Sequence, residues 1–282
     1  MDTARIAALL APFLPDPGEP LLQALSTYLD LLLRWNARLN LTAVRDPDQI
    51  VTRHFGESLF VASRLFPAGG WPTLFRTGWP TLSPALGRRV GMSPATGDSP
   101  SGNRELGTEN CLLDLGSGAG FPGVPIKLYE PGLQLTLIES QYRKAIFLRE
   151  LLRALALPGA QVFSGRAQDF PPPPADVPLT LTLRAVERFD QVLPLAARLL
   201  HPHSALNECH PERALPSAQR RTRRVEGPLS QPEISAPHRL ALLIGSAQIE
   251  RARALLAGFA WDAPIPIPQS SARVLLVGSP TA

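Results

Sequence analysis

The chain has 282 residues, 44% of them hydrophobic, which is ample for one or two packed cores, and no apolar run reaches the ~18 residues of a membrane span. Two cysteines, Cys111 and Cys209, are too few for a disulfide framework and fit a reduced, cytoplasmic setting. The formal charge is +4, and Lys127 and Lys144 are the only lysines, so 26 of the 28 basic residues are arginine; this permits a nucleic-acid partner without establishing one, because a codon bias gives the same composition.

The first twenty residues carry Asp2 early, lack a basic leader and break at Pro15 and Pro17, so they do not read as a signal peptide. Residues 1–66 read as helices. Leu22, Leu25, Leu29, Leu32, Leu33 and Trp35 recur at helical spacing. A second helix opens with Asp46 as N-cap and Pro47 at its first position, and runs to Phe66 with Val51, Phe55, Leu59 and Ala62 on one face. From 67 to 110 the periodicity collapses into a Gly/Pro/Ser-rich stretch, which contains a near-repeat at Trp71 and Trp79 and reads as a linker or insertion. Strand and helix then alternate from Cys111 onward: CLLDL, GVPIKLYEP, LQLTLIES, RKAIFLRELLRALAL, AQVFSG, PLTLTLRA and RFDQVLPLAARLL. A second irregular stretch at about 203–238 precedes RLALLIGS, AQIERARALLAGF and ARVLLVGS. Alternation at this spacing predicts an α/β core over 111–282, a doubly wound and mostly parallel sheet, with 1–66 as a helical cap packed on it.

The chemistry centres on LLDLGSGAGFPGVPIKL, residues 112–128. Glycines serve where a strand turns sharply into a helix and backbone passes close to a ligand. Gly118-x-Gly120-x-x-Gly123 is a dinucleotide pattern, whereas Gly116-x-Gly118-x-Gly120 fits a methyl-donor loop. Glu139, closing the next strand, suits the ribose hydroxyls of either ligand. Asp114 is expected to discriminate: a carboxylate there repels a pyrophosphate but suits the amino and sulfonium end of S-adenosylmethionine.

With these residues in view the chain resembles the bacterial 16S rRNA (guanine-N7) methyltransferase family. The resemblance has two separate parts. Residues 28–59 carry Trp-Asn, Asn-Leu-Thr, Arg-Asp-Pro and Arg-His, and the loop carries the unusual Phe121-Pro122-Gly123. It continues through LIESQYRKAIFLREL, GRAQDF and LTLRAV, and leaves out the two irregular stretches. It implies a class I S-adenosylmethionine-dependent methyltransferase fold with a seven-stranded Rossmann-like sheet, acting as a monomer on 16S rRNA or the 30S subunit, at guanosine 527 of the 530 loop. It also implies donor contacts at Gly116, Phe121, Ala167, Gln168 and Arg184, which join Asp114, Gly118, Gly120 and Glu139. Two departures stand out: Gln168 replaces an acidic residue, and Ile244 stands where the family carries lysine.

Guanine N7 has a free lone pair and no proton to lose, so no catalytic acid or base is assigned, and the expected mechanism is positioning. RNA-contact candidates are Arg34, Arg38, Arg45 and Arg53 in the cap and Arg143, Lys144 and Arg149 after Glu139; as a competing reading, these are solvated helix faces. His54, beside Asn36, Asn40 and Thr42, either lines the donor pocket or is a hydrogen-bonded core histidine. His201, His203, Cys209 and His210 match no regular metal-ligand spacing, and QRRTRR at 219–224 reads as a charged run or an RNA-binding arm. The alternatives are a non-catalytic RNA-binding homologue and a nucleotide-dependent oxidoreductase.

Overall fold

The structure is a computed structural model that describes residues 1–67, 110–171, 173, 177–184, 188–200 and 238–281. Most of both irregular stretches, with Trp71, Trp79, His201, His203, Cys209, His210 and residues 219–224, lies outside the described residues.

The cap contains α1 (Thr3–Leu10), α2 (Glu19–Leu39), α3 (Pro47–Ile50) and α4 (Glu57–Leu65). Asp46 caps α3 as expected, its carboxylate accepting from the Gln49 backbone N–H at 2.8 Å. The predicted single helix over 46–66 is interrupted by a π-helical segment, Val51–Gly56. Such wide turns commonly sit at functional sites, and this one holds Arg53 and His54, whose contacts are described below.

The core strands are β1 (Cys111–Leu115), β2 (Gln134–Glu139), β3 (Ala160–Ser164), β4 (Leu179–Arg184), β5 (His238–Gly245), β6 (Phe259–Trp261), β7 (Ile265–Pro266) and β8 (Arg273–Pro280). Between them run α5 (Gly123–Tyr129), α6 (Tyr142–Ala154), α7 (Phe189–Leu200) and α8 (Ile249–Leu255). The order is β3-β2-β1-β4-β5-β8-β6, with β7 pairing another part of β8. The sheet thus has seven ranks, the two short strands β6 and β7 both pairing β8. Neither was visible as periodicity, because two or three residues cannot show an alternation. β3 to β5 are parallel, and β8 is antiparallel to β5 and to β6. The common dinucleotide order, 3-2-1-4-5-6, has no antiparallel strand inserted at that place. The arrangement is the class I methyltransferase one.

Both sheet faces are covered, which is why the strands read as nearly continuous apolar runs. Successive residues of β5 alternate between two cores: Leu240, Leu242 and Ile244 pack with α7 and α8, while Ala241 and Leu243 face the cap side with α5 and α6. Ile244, at the position of the expected lysine, is therefore a core residue, 3% exposed.

The cap joins the core through Tyr28 of α2. Its hydroxyl donates to the Ala119 carbonyl at 2.5 Å, and its ring stacks on Phe121 at 5.3 Å. Tyr28→Phe keeps the ring and leaves that buried carbonyl unpaired, so an expected loss of about 1–2 kcal/mol should appear as a lower urea midpoint with an unchanged slope.

Candidate active site

The turn from β1 into α5 has left-handed backbone at Gly116, Gly118 and Gly120. At Gly120, with φ +93°, a Cβ would also lie 2.5 Å from the Tyr28 hydroxyl, so both backbone and packing demand glycine. The turn is tied to β2: the Gly116 and Ser117 N–H groups donate to the Ile138 carbonyl. Glu139 completes the tie, its carboxylate accepting from Gly118 N–H at 2.9 Å and from Gln141 N–H at 2.7 Å. Each of its oxygens keeps a second lone pair.

Beside this turn lies a cavity of about 650 Å³. Leu115, Ile138, Leu183 and Arg184 line it from the carboxyl ends of β1, β2 and β4; Gly116, Ser140, Gly165 and Ala167 line it from the turns that follow. Gln141 and Lys144 contribute from the start of α6, and Arg188, Val192 and Leu195 from α7 and its approach. This is the switch point of the sheet, between β1 and β4, where ligands of open α/β folds bind.

Of the expected donor residues, Gly116, Ala167 and Arg184 line the cavity. Asp114 does not, and its expected role needs correcting. It is 1% exposed; Thr182 Oγ1 donates to one oxygen at 2.9 Å and Gly123 N–H to the other at 3.3 Å. Its Cβ would be 2.8 Å from any Cβ at residue 123, so Gly123 exists to let α5 approach β1. Asp114 faces inward because Leu113 and Leu115 take the opposite sheet face; it braces the turn rather than meeting a cation in the cavity. Burial raises its pKa to about 6 against the opposing hydrogen bonds. The Phe121 side chain is 7% exposed, inside an aromatic cluster of Tyr28, Phe55 and His54. Gly118, Gly120 and Glu139 shape the turn without lining the cavity, and Gln168 is exposed in the short 3-10 turn Ala167–Asp169.

Arg184 ends β4 with a side chain only 7% exposed. Its Nη2 donates to the Arg53 carbonyl at 2.5 Å, His54 Nδ1 at 2.9 Å and Glu57 Oε2 at 3.0 Å. Its Nη1 is buried with no hydrogen-bond partner. Because arginine only donates, His54 Nδ1 accepts, and the proton sits on Nε2, 2.7 Å from Thr42 Oγ1. Burial, then the Arg184 charge, lowers the His54 pKa to about 3, so the ring is neutral. Asn36 supports this chain, its Oδ1 accepting from Thr42 N–H at 2.9 Å, and Asn40 accepts from Arg45 at 2.8 Å. His54 is therefore the hydrogen-bonded core histidine of the two readings. Burial lowers the Arg184 pKa to about 10, opposed by Glu57, and leaves it cationic.

Glu57 was missed. It is 3% exposed, and Arg273 of β8 reaches its Oε2 at 3.1 Å. No local signal could have found it, because its partners Arg184 and Arg273 are 127 and 216 residues away in the chain. Burial raises its pKa, against the two arginines. Among the RNA candidates, Lys144 lines the cavity, while Arg34, Arg38, Arg45, Arg53, Arg143 and Arg149 are exposed.

The two parts of the sequence signature thus meet at Arg184, on the wall of the cavity. The profile of the family rRNA small subunit methyltransferase G matches residues 21–68 and 98–218. The chain belongs to that family. The match extends into both irregular stretches, over 98–110 and 203–218, so they are not wholly foreign to the family, and it stops short of β5. Ribosomal RNA small subunit methyltransferase G of Xanthomonas campestris pv. campestris is 35% identical over 191 residues, 68% of each chain. That of Stenotrophomonas maltophilia is 34% identical over 205 residues, 72% of this chain and 76% of its own. A solved SAM-dependent methyltransferase from Aquifex aeolicus aligns over 62% of this chain and 85% of its own, at 14% identity and a TM-score of 0.40.

Two outcomes follow from the buried charges of this methyltransferase. Asp114 has its folded pKa raised from 3.8 to about 6. The folded state therefore holds its proton while the unfolded state releases it, and stability present below pH 4 is lost as pH rises through 6. Relative to Asp114→Asn, the wild type should lose on the order of 3 kcal/mol across that window, read from urea midpoints at each pH. Glu57→Gln removes the counter-charge of two arginines, one deeply buried; it should cost about 3 kcal/mol at pH 7, read from the same midpoints.

Proposed function

We propose that this chain methylates guanine N7 in the 16S rRNA of the small ribosomal subunit, with S-adenosylmethionine as donor. The observation that carries this reading is the meeting of both halves of the family signature at Arg184, which lines the cavity at the switch point while Arg53, His54 and Glu57 of the cap hold its head. The donor fits the residues present: the Arg184 Nη1, buried and unpartnered beside the cavity, offers a hydrogen bond to a carboxylate. Gly116 lets backbone approach the ligand, and Glu139, at the end of β2, keeps a second lone pair on each oxygen, which we assign to the ribose hydroxyls. Ala167 lines the cavity after β3, where the family resemblance implies the adenine contact. Bound S-adenosylmethionine supplies an electrophilic methyl group on a sulfonium.

What the chain contributes is placement. The Arg184 head is fixed by three acceptors before any ligand arrives, so little conformational entropy remains to be lost on binding. Lys144 and Arg188, at the cavity wall, suit the phosphates of the target nucleotide. We assign residues 1–66 to a helical cap and 111–282 to the methyltransferase core, interrupted at about 203–238. We further assign 16S rRNA, naked or in the 30S subunit, as substrate, the 530-loop guanosine as target, a monomer as the active form and the cytoplasm as its location. No helix among the described residues is long and apolar enough to cross a membrane.

The test is incubation with labelled donor and 30S subunits lacking the modification. Label should enter 16S rRNA, and the modified base should be susceptible to the chain cleavage specific to N7-methylguanosine. Donor binding without label transfer would instead support the non-catalytic RNA-binding homologue. Arg184→Ala should weaken donor binding by roughly tenfold to a hundredfold, the scale of a lost charge-assisted hydrogen bond, measured by titration calorimetry.

A further inference from the structure

The solvent face of α6 carries side chains that the donor cavity does not use. Tyr142, its first residue, is 69% exposed, and Ile146, one turn later, is 36% exposed; they are the exposed large hydrophobics of the described residues. The i, i+4 spacing places them on one face. The same face continues to Arg149 and Arg153, both exposed, and Arg143 is exposed beside Tyr142. The opposite face, with Ala145, Leu148, Leu151 and Leu152, is buried against the core. Folding thus leaves Tyr142 unused: it neither packs inside nor caps the helix, whose N-cap is Gln141.

Its position gives it a use. Gln141 and Lys144, on either side of it in the chain, line the donor cavity. Tyr142 itself lies outside the cavity wall, on the adjoining solvent face of the same end of α6, with arginines trailing along the helix behind it. The neighbouring α2, joined to α6 by the Trp35–Phe147 contact at 5.9 Å, adds the exposed Arg34 and Arg38. Positive charge with an exposed aromatic is the composition of a single-strand binding surface, where backbone phosphates meet cations and bases stack on rings. An acidic protein surface would complement the arginines but has no need of an exposed flat aromatic ring beside them.

We propose that Tyr142, backed by Ile146, is a stacking platform for an unpaired base of the substrate RNA, and that Arg143, Arg149 and Arg153 hold the flanking phosphates. The ligand class rests on the rRNA methyltransferase reading; the surface and its residues go beyond it.

The test uses the full-length protein and a fluorescent single-stranded fragment of 16S rRNA, with affinity read by anisotropy at several salt concentrations. Tyr142→Ala should weaken binding about tenfold, within the range of one base–aromatic stack, and Tyr142→Phe should restore it. Arg149→Ala should weaken binding and reduce the log–log salt slope by about 0.7, the value for one phosphate of a single strand. Calorimetric affinity for S-adenosylmethionine should be equal in all four proteins, which also shows that each is folded. Wild-type-like RNA binding by Tyr142→Ala would overturn the proposal, as would failure of the wild type to bind RNA, whether or not it captures an acidic protein. Tyr142-dependent RNA binding by a wild type that transfers no methyl group would uphold the surface and retire the catalytic reading.

Discussion

The ring of Phe121 is the point on which the cap, the glycine turn and the fourth strand depend. Tyr28 stacks on it, His54 lies at 4.8 Å, Phe55 tilts against it, and the Arg184 guanidinium sits 5.8 Å from its centre. Aromatic pairs of this kind each add about 0.5–1.5 kcal/mol beyond the area they bury. More important here is geometry. One ring touches side chains from α2, from the π-helical segment and from β4, so the loop cannot move without moving the arginine. The helical cap is in this sense part of the site: His54, Glu57 and the Arg53 carbonyl set where Arg184 points, although the cap contributes no residue to the wall of the donor cavity.

The glycine turn shows how one short stretch meets two demands at once. Gly116 and Gly118 permit the left-handed backbone of the turn, while Gly123 lets α5 lie against Asp114 and Leu137. The second demand, close packing of a helix on a strand, also accounts for the third glycine of dinucleotide loops. The two registers are therefore both physically real, and glycine spacing alone does not choose between them. The strand order does: an antiparallel strand between β5 and β6 departs from the dinucleotide arrangement.

Most of the fold was legible in the chain because periodicity reports burial directly. A strand covered on both faces reads as LTLTL or LALLI, and a surface helix as RKAIFLREL. What could not be read was the direction in which a polar side chain in such a strand points. Asp114 seemed to face a ligand because it precedes the glycines; the β1 pleat turns it toward Thr182 instead. Phe121 is implied as a donor contact by the family resemblance alone, and nothing local announces that its ring packs on Tyr28, His54 and Phe55 of the cap. Glu57 was invisible for a related reason. Its partners Arg184 and Arg273 are 127 and 216 residues away in the chain, and no local pattern announces a long-range ion pair.

The distribution of charge around the cavity bears on mechanism as strongly as its shape. Among the described residues that line it, the ionisable ones are Lys144, Arg184 and Arg188, all cationic; no carboxylate or imidazole is among them. The groups that elsewhere move protons are otherwise engaged. Asp114 is sealed beneath the turn, Glu57 is held by two arginines, and His54 is kept neutral with both ring nitrogens hydrogen-bonded. A reaction that had to remove a proton from its acceptor would be poorly served by such a wall. Attack by a ring nitrogen that already has a free lone pair makes no such demand. It needs the acceptor's phosphates anchored and the reacting atoms aligned, and a cationic wall with one pre-fixed arginine supplies both.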